Sequence, residues 1–493
     1  MKRLREGPTM PDKNHRHSER SGSLLNSREV SRHLWEIVRR AFIEFLMIPT
    51  VVIGGFLLVA LLMFIADEAR IADEGPASQT VWGGLFTDAE ASRAFLGVIA
   101  ASIVTVTSIT LSLLLIAVQQ GAASLTSLVF DQFLRRRANQ LYFGFFLGLA
   151  LYSLIVLASI NPSHQPVYGV ALAGLMTAVA LYMLIILIYT TINQMRPVVI
   201  IKSIHDHALL ARQCQVKLLR STRRVPRLQA IVSGRVTADR GGFLVRLDVA
   251  AIVKASTDTE TEVVIQHSIG DYVACGDLIA EIRTASGHRV SSLEAVIRGA
   301  LVLEDQRDLD TDPSYGVEQL VTIGWTSIST AKSNPGPGLL AIWNLRDLLA
   351  RWLQSDDAFA SGGSEAVDQE SPVVYSDDLS QHVMRGFESL VVSASESMQH
   401  QCAAEIYLTF ANLFHRMSPA VRRQAEDLLL RSLSGLGDHI LTSTLDASLS
   451  ALIDVLSTAG RSQCASAVDA ARCQLGQSVG RLNSRSTRTR GGE

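Results

Sequence analysis

Cysteine is scarce and scattered in this sequence. Its five residues, Cys214, Cys275, Cys402, Cys464 and Cys473, form no Cys-x-x-Cys pair. That spacing argues against a disulfide framework or a thiolate zinc site, and unpaired thiols suit a reducing compartment. Net charge is missing as well: 45 Lys and Arg against 47 Asp and Glu leave a formal -2. No basic surplus points to nucleic acid as a partner. A Walker loop, a kinase signature, Gly-x-Ser-x-Gly, His-Glu-x-x-His and a Rossmann fingerprint are all absent. The expectation is therefore a protein that is not an enzyme, with no catalytic residue, cofactor or metal ligand to assign. The first forty residues lack the apolar core and small-residue cleavage site of a secretory signal. Their polar, basic composition predicts a disordered cytoplasmic tail over residues 1–40.

The most informative absence is of charge. Four runs, about 45–66, 94–118, 141–160 and 167–192, carry no Lys, Arg, Asp or Glu in their interiors. A helix needs about 20 apolar residues to cross the hydrocarbon layer, and each ion at its centre costs about 2.5–3.5 kcal/mol on insertion scales. Four transmembrane helices within residues 41–195 follow. Arg28, Arg32, Arg39 and Arg40 precede the first, Arg135, Arg136 and Arg137 lie between the second and third, and Arg196, Lys202 and Arg212 follow the fourth. The intervening loop is acidic, with Asp67, Glu68, Asp73, Glu74, Asp88 and Glu90, and the turn Asn161–Pro166 has no Lys or Arg. The positive-inside rule then places both termini in the cytoplasm. Pro49, one turn into the first span, predicts a kink there.

Within the second span Ser102, Thr105, Ser108 and Ser112, with Gln119 beyond, recur at spacings that put them on one helical face. Such a face lines a water-filled path, or else it packs against another helix through small polar residues. No ionisable residue in the spans points to a function. Gln119–Ala138 is amphipathic and ends in Arg135–Arg137, which predicts either an interfacial helix with arginines at lipid phosphates or a continuous helix leaving the membrane.

After Met195 the composition turns polar. Residues 196–226 read as a basic juxtamembrane helix, in which His205 and His207 fall on different faces and share no metal. Residues 227–290 read as a small β-barrel or sandwich-like module. Its strands are expected at Gln229–Ser233, Gly242–Leu247, Glu262–Gln266 and Leu278–Arg283, with a short helix at Asp248–Ser256. Gly270 and Gly276, in Gly-Asp-Tyr-Val-Ala-Cys-Gly, allow tight turns. This run resembles part of a biotinyl or lipoyl carrier, but no lysine stands where the prosthetic group would attach. Helices are expected at Ser292–Gln306, Val317–Lys332 and Leu339–Leu353, within a helical segment 291–354. Asp308, Asp310 and Asp312 fail the EF-hand template and read as a solvated acidic loop. Asn334–Gly338 reads as a helix break and 355–373 as a flexible acidic linker. A C-terminal helical domain over 374–478, of four or five helices, precedes a disordered tail at 479–493. The fold class is thus all-α in the membrane, then a cytoplasmic α+β region and a helical end.

Three stretches together resemble the DUF2254 family of predicted bacterial membrane proteins. They are Ser108–Gln120 with Phe133–Arg137, Asp239–Phe243 leading to Ile269–Gly276, and Asp312–Val321. The last is similar to the family's Asp-x-x-Phe-Gly-x-Arg-Gln-Leu-Val-Asp run, with Glu318 where arginine is common. The chain has Ser333–Gly338 in place of the family's Ser-Pro-Gly-x-Asn-Asp-Pro segment. The resemblance spans roughly residues 35–355 and implies a multi-pass protein of the bacterial inner membrane, without implying a reaction. Taken together, the expectation is a homo-oligomeric channel-, transporter- or sensor-like protein in a lipid bilayer, with a cytoplasmic regulatory module. The alternative is a membrane-anchored scaffold that recruits a cytoplasmic protein partner.

Overall fold

A computed structural model describes residues 46–72, 88–124, 136–161, 165–227, 232–256, 261–284, 291–329, 334–361, 371–436 and 439–478. Both expected tails, residues 125–135 including Arg135, and residues 362–370 of the expected linker lie outside them. The chain forms two compact units, Met1–Gln120 with Ser127–Asn193 and Gly121–Thr126 with Gln194–Glu493.

The first unit holds α1 (Met47–Ala72), α2 (Ala89–Ser124) up to Gln120, α3 (Arg137–Ser159), and α4 (Val167–Gln194) up to Asn193. Each contains a stretch long and apolar enough to cross a membrane: Met47–Ala69, Ala89–Ile116, Arg137–Ser159 and Val167–Gln194. The second helix runs on past its apolar part through Gln119 to Ser124. In the described residues Pro49 occupies the first turn of α1, where its missing N–H breaks no helical bond. Helices α1 and α3 touch at two glycines one turn apart. A Cβ on Gly144 would come 2.9 Å from Pro49 Cα, and one on Gly148 2.4 Å from the Phe56 ring. Small residues let membrane helices approach this closely, and dispersion then supplies the attraction that water supplies elsewhere. Phe56 meets Phe145 edge-on, with centroids 5.2 Å apart.

At the end of α1, Asp67 is fully buried rather than solvated as a loop acid. Its carboxylate accepts the N–H groups of Tyr168 and Gly169, each at 3.0 Å. These are orphan donors at the positive end of α4, so the cap satisfies both hydrogen bonding and the helix dipole. Arg93 at the start of α2 donates to the carbonyl of Ile160, the C-cap of α3, at 2.6 Å.

The second unit opens with α5 (Pro197–Arg220), followed by β1 (Val232–Thr237), β2 (Gly242–Leu247), α6 (Val249–Ala255), β3 (Thr261–Ile265), β4 (Tyr272–Val273), β5 (Leu278–Thr284), α7 (Ser291–Ala300) and β6 (Leu301–Glu304). Helices α8 (Pro313–Ser329) and α9 (Pro335–Ser361) lead to β7 (Val373–Val374). One sheet has the order β1-β5-β3-β7, the other β4-β2-β6. Both are open; among the described residues no closed barrel forms. Val236, Leu244, Ile252, Val263, Val273, Ile282, Ile297 and Val373 form a shared core. Gly270 and Gly276 have φ of 100° and 90°, a left-handed region that side chains with a Cβ rarely enter.

Four expectations change here. The helix expected over Ser292–Gln306 stops at Ala300, because Leu301 and Leu303 alternate inward and pair with β2. The described part of the first strand runs on past Ser233 through Gly234 to Thr237, and the expected residues 229–231 lie outside the described set. Asn334–Gly338 begins a helix rather than breaking one: Pro335 is its first residue, and Asn334 Oδ1 accepts Gly336 N–H at 3.1 Å. The first part of the expected linker is helical, since α9 reaches Ser361.

The C-terminal helices are α10 (Leu379–Glu396), α11 (His400–Leu413), α12 (Pro419–Leu436), α13 (Ser443–Thr458) and α14 (Ser462–Ser478), within the expected number. Phe387, Tyr407, Phe410 and Phe414 fill their core. At one edge His400 and His439 hydrogen-bond through their Nδ1 atoms at 2.8 Å. His400 Nδ1 also accepts Ile440 N–H at 3.3 Å, so His439 is the donor of the pair. Protonating His400 would place its new proton against two donors. Burial likewise holds the His400 pKa below its ordinary 6.5. A depressed histidine pKa gives stability that is complete above the unfolded value, about 6.5, and lost as pH falls below it. The thermal unfolding midpoint should therefore drop between about pH 7.5 and 5. His400→Phe should flatten that slope; an unchanged slope in the variant would refute the assignment.

Candidate functional site

Ser102, Thr105, Ser108 and Ser112 lie together on the outer surface of the single-chain bundle, all exposed. The opposite side of α2 is buried through Leu96, Ile99, Ala100, Ile103 and Leu114. Two of the hydroxyls are satisfied locally, with Thr105 donating to Ala101 O at 2.7 Å and Ser112 to Ser108 O at 3.0 Å. Such back-bonds make the residues cheap to hold in hydrocarbon, but they leave the acceptor side of each oxygen open. Gln119 is exposed further along the same helix. Arg136 is the N-cap of α3 and makes no side-chain cap bond, and Arg137 is exposed at its first position. Cations are unfavourable at a helix N-terminus, so these arginines do not serve the helix; lipid phosphate would be a suitable counter-charge.

In the second unit a polar cluster joins the β3–β4 loop, the start of α8 and the start of α10. Arg307 is its hub. The guanidinium donates to Asp312 Oδ2 and Ser314 Oγ, both at 2.7 Å, pairs with Glu318, and lies 4.9 Å from the Tyr315 ring centre. Asp312 is nearly fully buried, which corrects its reading as part of a solvated loop, whereas Asp310 is exposed. Its other oxygen accepts Ser314 Oγ–H at 2.6 Å and Tyr315 N–H at 3.1 Å, capping α8. A Cβ on Gly270 would come 2.4 Å from Asp312 Oδ2, so the loop carrying Asp271 can reach this point only with glycine. Beside the hub, Asp271, Asp378 and His382 bring one ligand atom each to within 4.8 Å of one another. His382 Nε2 lies 3.2 Å from Asp378 Oδ2. That hydrogen bond holds the Asp378 carboxyl below its usual range and lifts the His382 pKa above its own.

The two histidines of α5 do separate. His205 is buried between Asp206 and Asp347, at 3.1 and 2.8 Å, whereas His207 donates to Ser203 O.

A family model described as a predicted membrane protein, DUF2254, matches residues 44–403, well over half of the chain. The chain belongs to the DUF2254 family. No curated protein and no solved structure matches it. The DUF2254 match takes in all four spans, both sheets, the Arg307 hub and the first residues of α11. Arg307, Asp271, Asp378 and His382 were not singled out from the sequence of this DUF2254 chain. They are 36, 71 and 4 residues apart in order along the chain, taken as Asp271, Arg307, Asp378 and His382, and no short motif links them. The nearest signal was Gly270 in the turn-forming run, whose glycine proves to be a close-approach position.

Proposed function

We propose that this DUF2254 protein is an oligomeric channel- or transporter-like membrane protein, sensor-like in that the unit beginning at Gln194 regulates the spans. The observation that carries the reading is the outward placement of Ser102, Thr105, Ser108 and Ser112 on α2. Lipid gives hydroxyls no partners, so this face is better matched by water or by a second copy. Four spans are few to enclose a path, which is why the reading includes a homo-oligomer. The membrane-anchored scaffold is the second reading, favoured by the back-bonds of Thr105 and Ser112, which let both residues face lipid without a functional role.

Ion flux through proteoliposomes separates the two. Ser108→Leu and Ser112→Leu should each cut flux at least about tenfold, equivalent to about 1.4 kcal/mol on the barrier, with oligomer size unchanged. Equal flux in the variants, or none in the wild type under voltage and osmotic gradients, would leave the scaffold.

The arginine distribution supports cytoplasmic termini and a cytoplasmic second unit. Exposed Cys214, Cys275 and Cys473 report on this directly. A membrane-impermeant maleimide should label them only after cells are permeabilised; labelling in intact cells would reverse the orientation.

A further inference from the structure

We propose that Asp271, Asp378 and His382 form a binding site for a divalent first-row metal ion. Their ligand atoms lie within 4.8 Å of one another, the spacing that a small ion with oxygen and imidazole ligands draws together. The three come from separate places: the turn before β4, the N-cap of α10 and the first turn of α10.

The site is built rather than incidental. Asp271 sits in a pinned turn: its carbonyl accepts Leu244 N–H at 2.9 Å, Gly270 N–H donates to Leu244 O at 2.8 Å, and Ile269 N–H donates to the buried Tyr375 hydroxyl at 3.0 Å. One carboxylate oxygen of Asp271 accepts Ser268 N–H at 2.7 Å, which fixes the direction of the group. Asp378 is still more telling. An N-cap aspartate ordinarily accepts an N–H of its own helix, yet its side chain makes no cap bond. It turns instead to His382, and the two face Asp271. Of the nearby cations, Arg307 is already committed to Asp312, Ser314, Glu318 and the Tyr315 ring, and Arg385 acts on Asp378 by its charge. Two carboxylates and one imidazole therefore lie together, with negative charge that a divalent ion would offset.

The donor set indicates the ion's class. Carboxylates alone would suit magnesium or calcium, whereas an added imidazole favours manganese, iron or zinc. His267 stands 3.9 Å from Asp271 Oδ2 through its Nδ1 and supports the same preference from the outer side. A bound ion would tie α10 to the turn between the two sheets, and so would make the folding of that junction depend on metal. This proposal is independent of conduction: the spans could be structural and the site still hold metal.

Manganese(II) is the probe to use, because the exposed thiols would compete for zinc. Titration of purified full-length protein in detergent, followed by the electron paramagnetic resonance of free Mn2+, should show one saturable ion per chain. Asp378→Asn and His382→Gln should each weaken binding about 100-fold, the upper end of the loss when only an orienting partner is removed. Asparagine is as good an N-cap as aspartate, so circular dichroism and gel filtration should be unchanged in the first variant. Asp310→Asn, an exposed acid outside the cluster, should bind as the wild type does. Absence of saturable binding in the wild type would overturn the proposal. So would wild-type affinity in both cluster variants, which would mark diffuse attraction to surface acids.

Discussion

Glu262→Gln should destabilise the unit beginning at Gln194 by about 3–5 kcal/mol, the range for breaking one side of a buried ion pair. The Glu262 side chain is 2% exposed and that of Arg223 is 9% exposed. The carboxylate receives the Arg223 guanidinium and also the N–H of Arg227 at 3.0 Å. Arg223 is held by its backbone as well. Its N–H donates to Val373 O and its carbonyl accepts Tyr375 N–H, both at 2.8 Å, so the chain leaving α5 runs beside β7. The pair thus fastens the end of α5 to β3. Glutamine keeps the shape of the side chain and removes its charge, leaving a guanidinium without its counter-ion in a dry place. Chemical denaturation measures the loss. Replacing both partners, as Arg223→Met with Glu262→Met, should cost less than the sum of the single changes, because no charge is left stranded. The exposed pair Arg431–Glu388 is the control, and Glu388→Gln should change stability by about 0–1 kcal/mol. A loss at Glu262 no larger than at Glu388 would show that burial does not decide the value of this pair.

The membrane helices were legible because a bilayer imposes one rule on many consecutive residues. A run such as Val167–Ile192 is recognisable without knowing what it touches. The short strands were partly legible for a weaker reason: β2 and β5 are apolar-rich runs of six and seven residues, with glycines at Gly241 and Gly276 before them. Strand β6 was not, because Leu301–Glu304 follows α7 without a break and its identity comes from pairing with β2. Tertiary context decided it, as it does for short apolar runs generally. The polar face on α2 could be placed on one side from spacing alone, but its outward direction required the positions of Leu96, Ile103 and Leu114 on the other side. Burial of Asp67 and Asp312 was invisible for the same reason. Each was read from neighbours in sequence, while its partners at Gly169 and Arg307 were set by the fold. The Asp271, Asp378 and His382 cluster is the extreme case, since loop, cap and helix turn meet only in three dimensions.

Arg307→Met should destabilise the same unit by about 3–5 kcal/mol, by stranding the charge of Asp312. The contrast with Glu318 makes the prediction discriminating. Both acids pair with this arginine, yet the Asp312 side chain is 2% exposed and the Glu318 side chain 58% exposed. Water can replace the arginine at Glu318 and cannot reach Asp312. Glu318→Gln should therefore cost about 0–1 kcal/mol. Asp312 retains the Ser314 hydroxyl and the Tyr315 N–H after Arg307 is lost, so Asp312→Asn in the Arg307→Met background should recover part of the stability by removing the stranded charge. Denaturant midpoints of the four proteins measure this. Failure of the second substitution to recover any stability would mean that Arg307 acts by packing its stem and stacking on Tyr315 instead. The consequence reaches the proposed metal site through Gly270, whose backbone lies against both Asp312 and Arg307. If Arg307 holds that turn in place, Arg307→Met should also weaken Mn2+ binding without touching a ligand, by moving Asp271 away from Asp378 and His382.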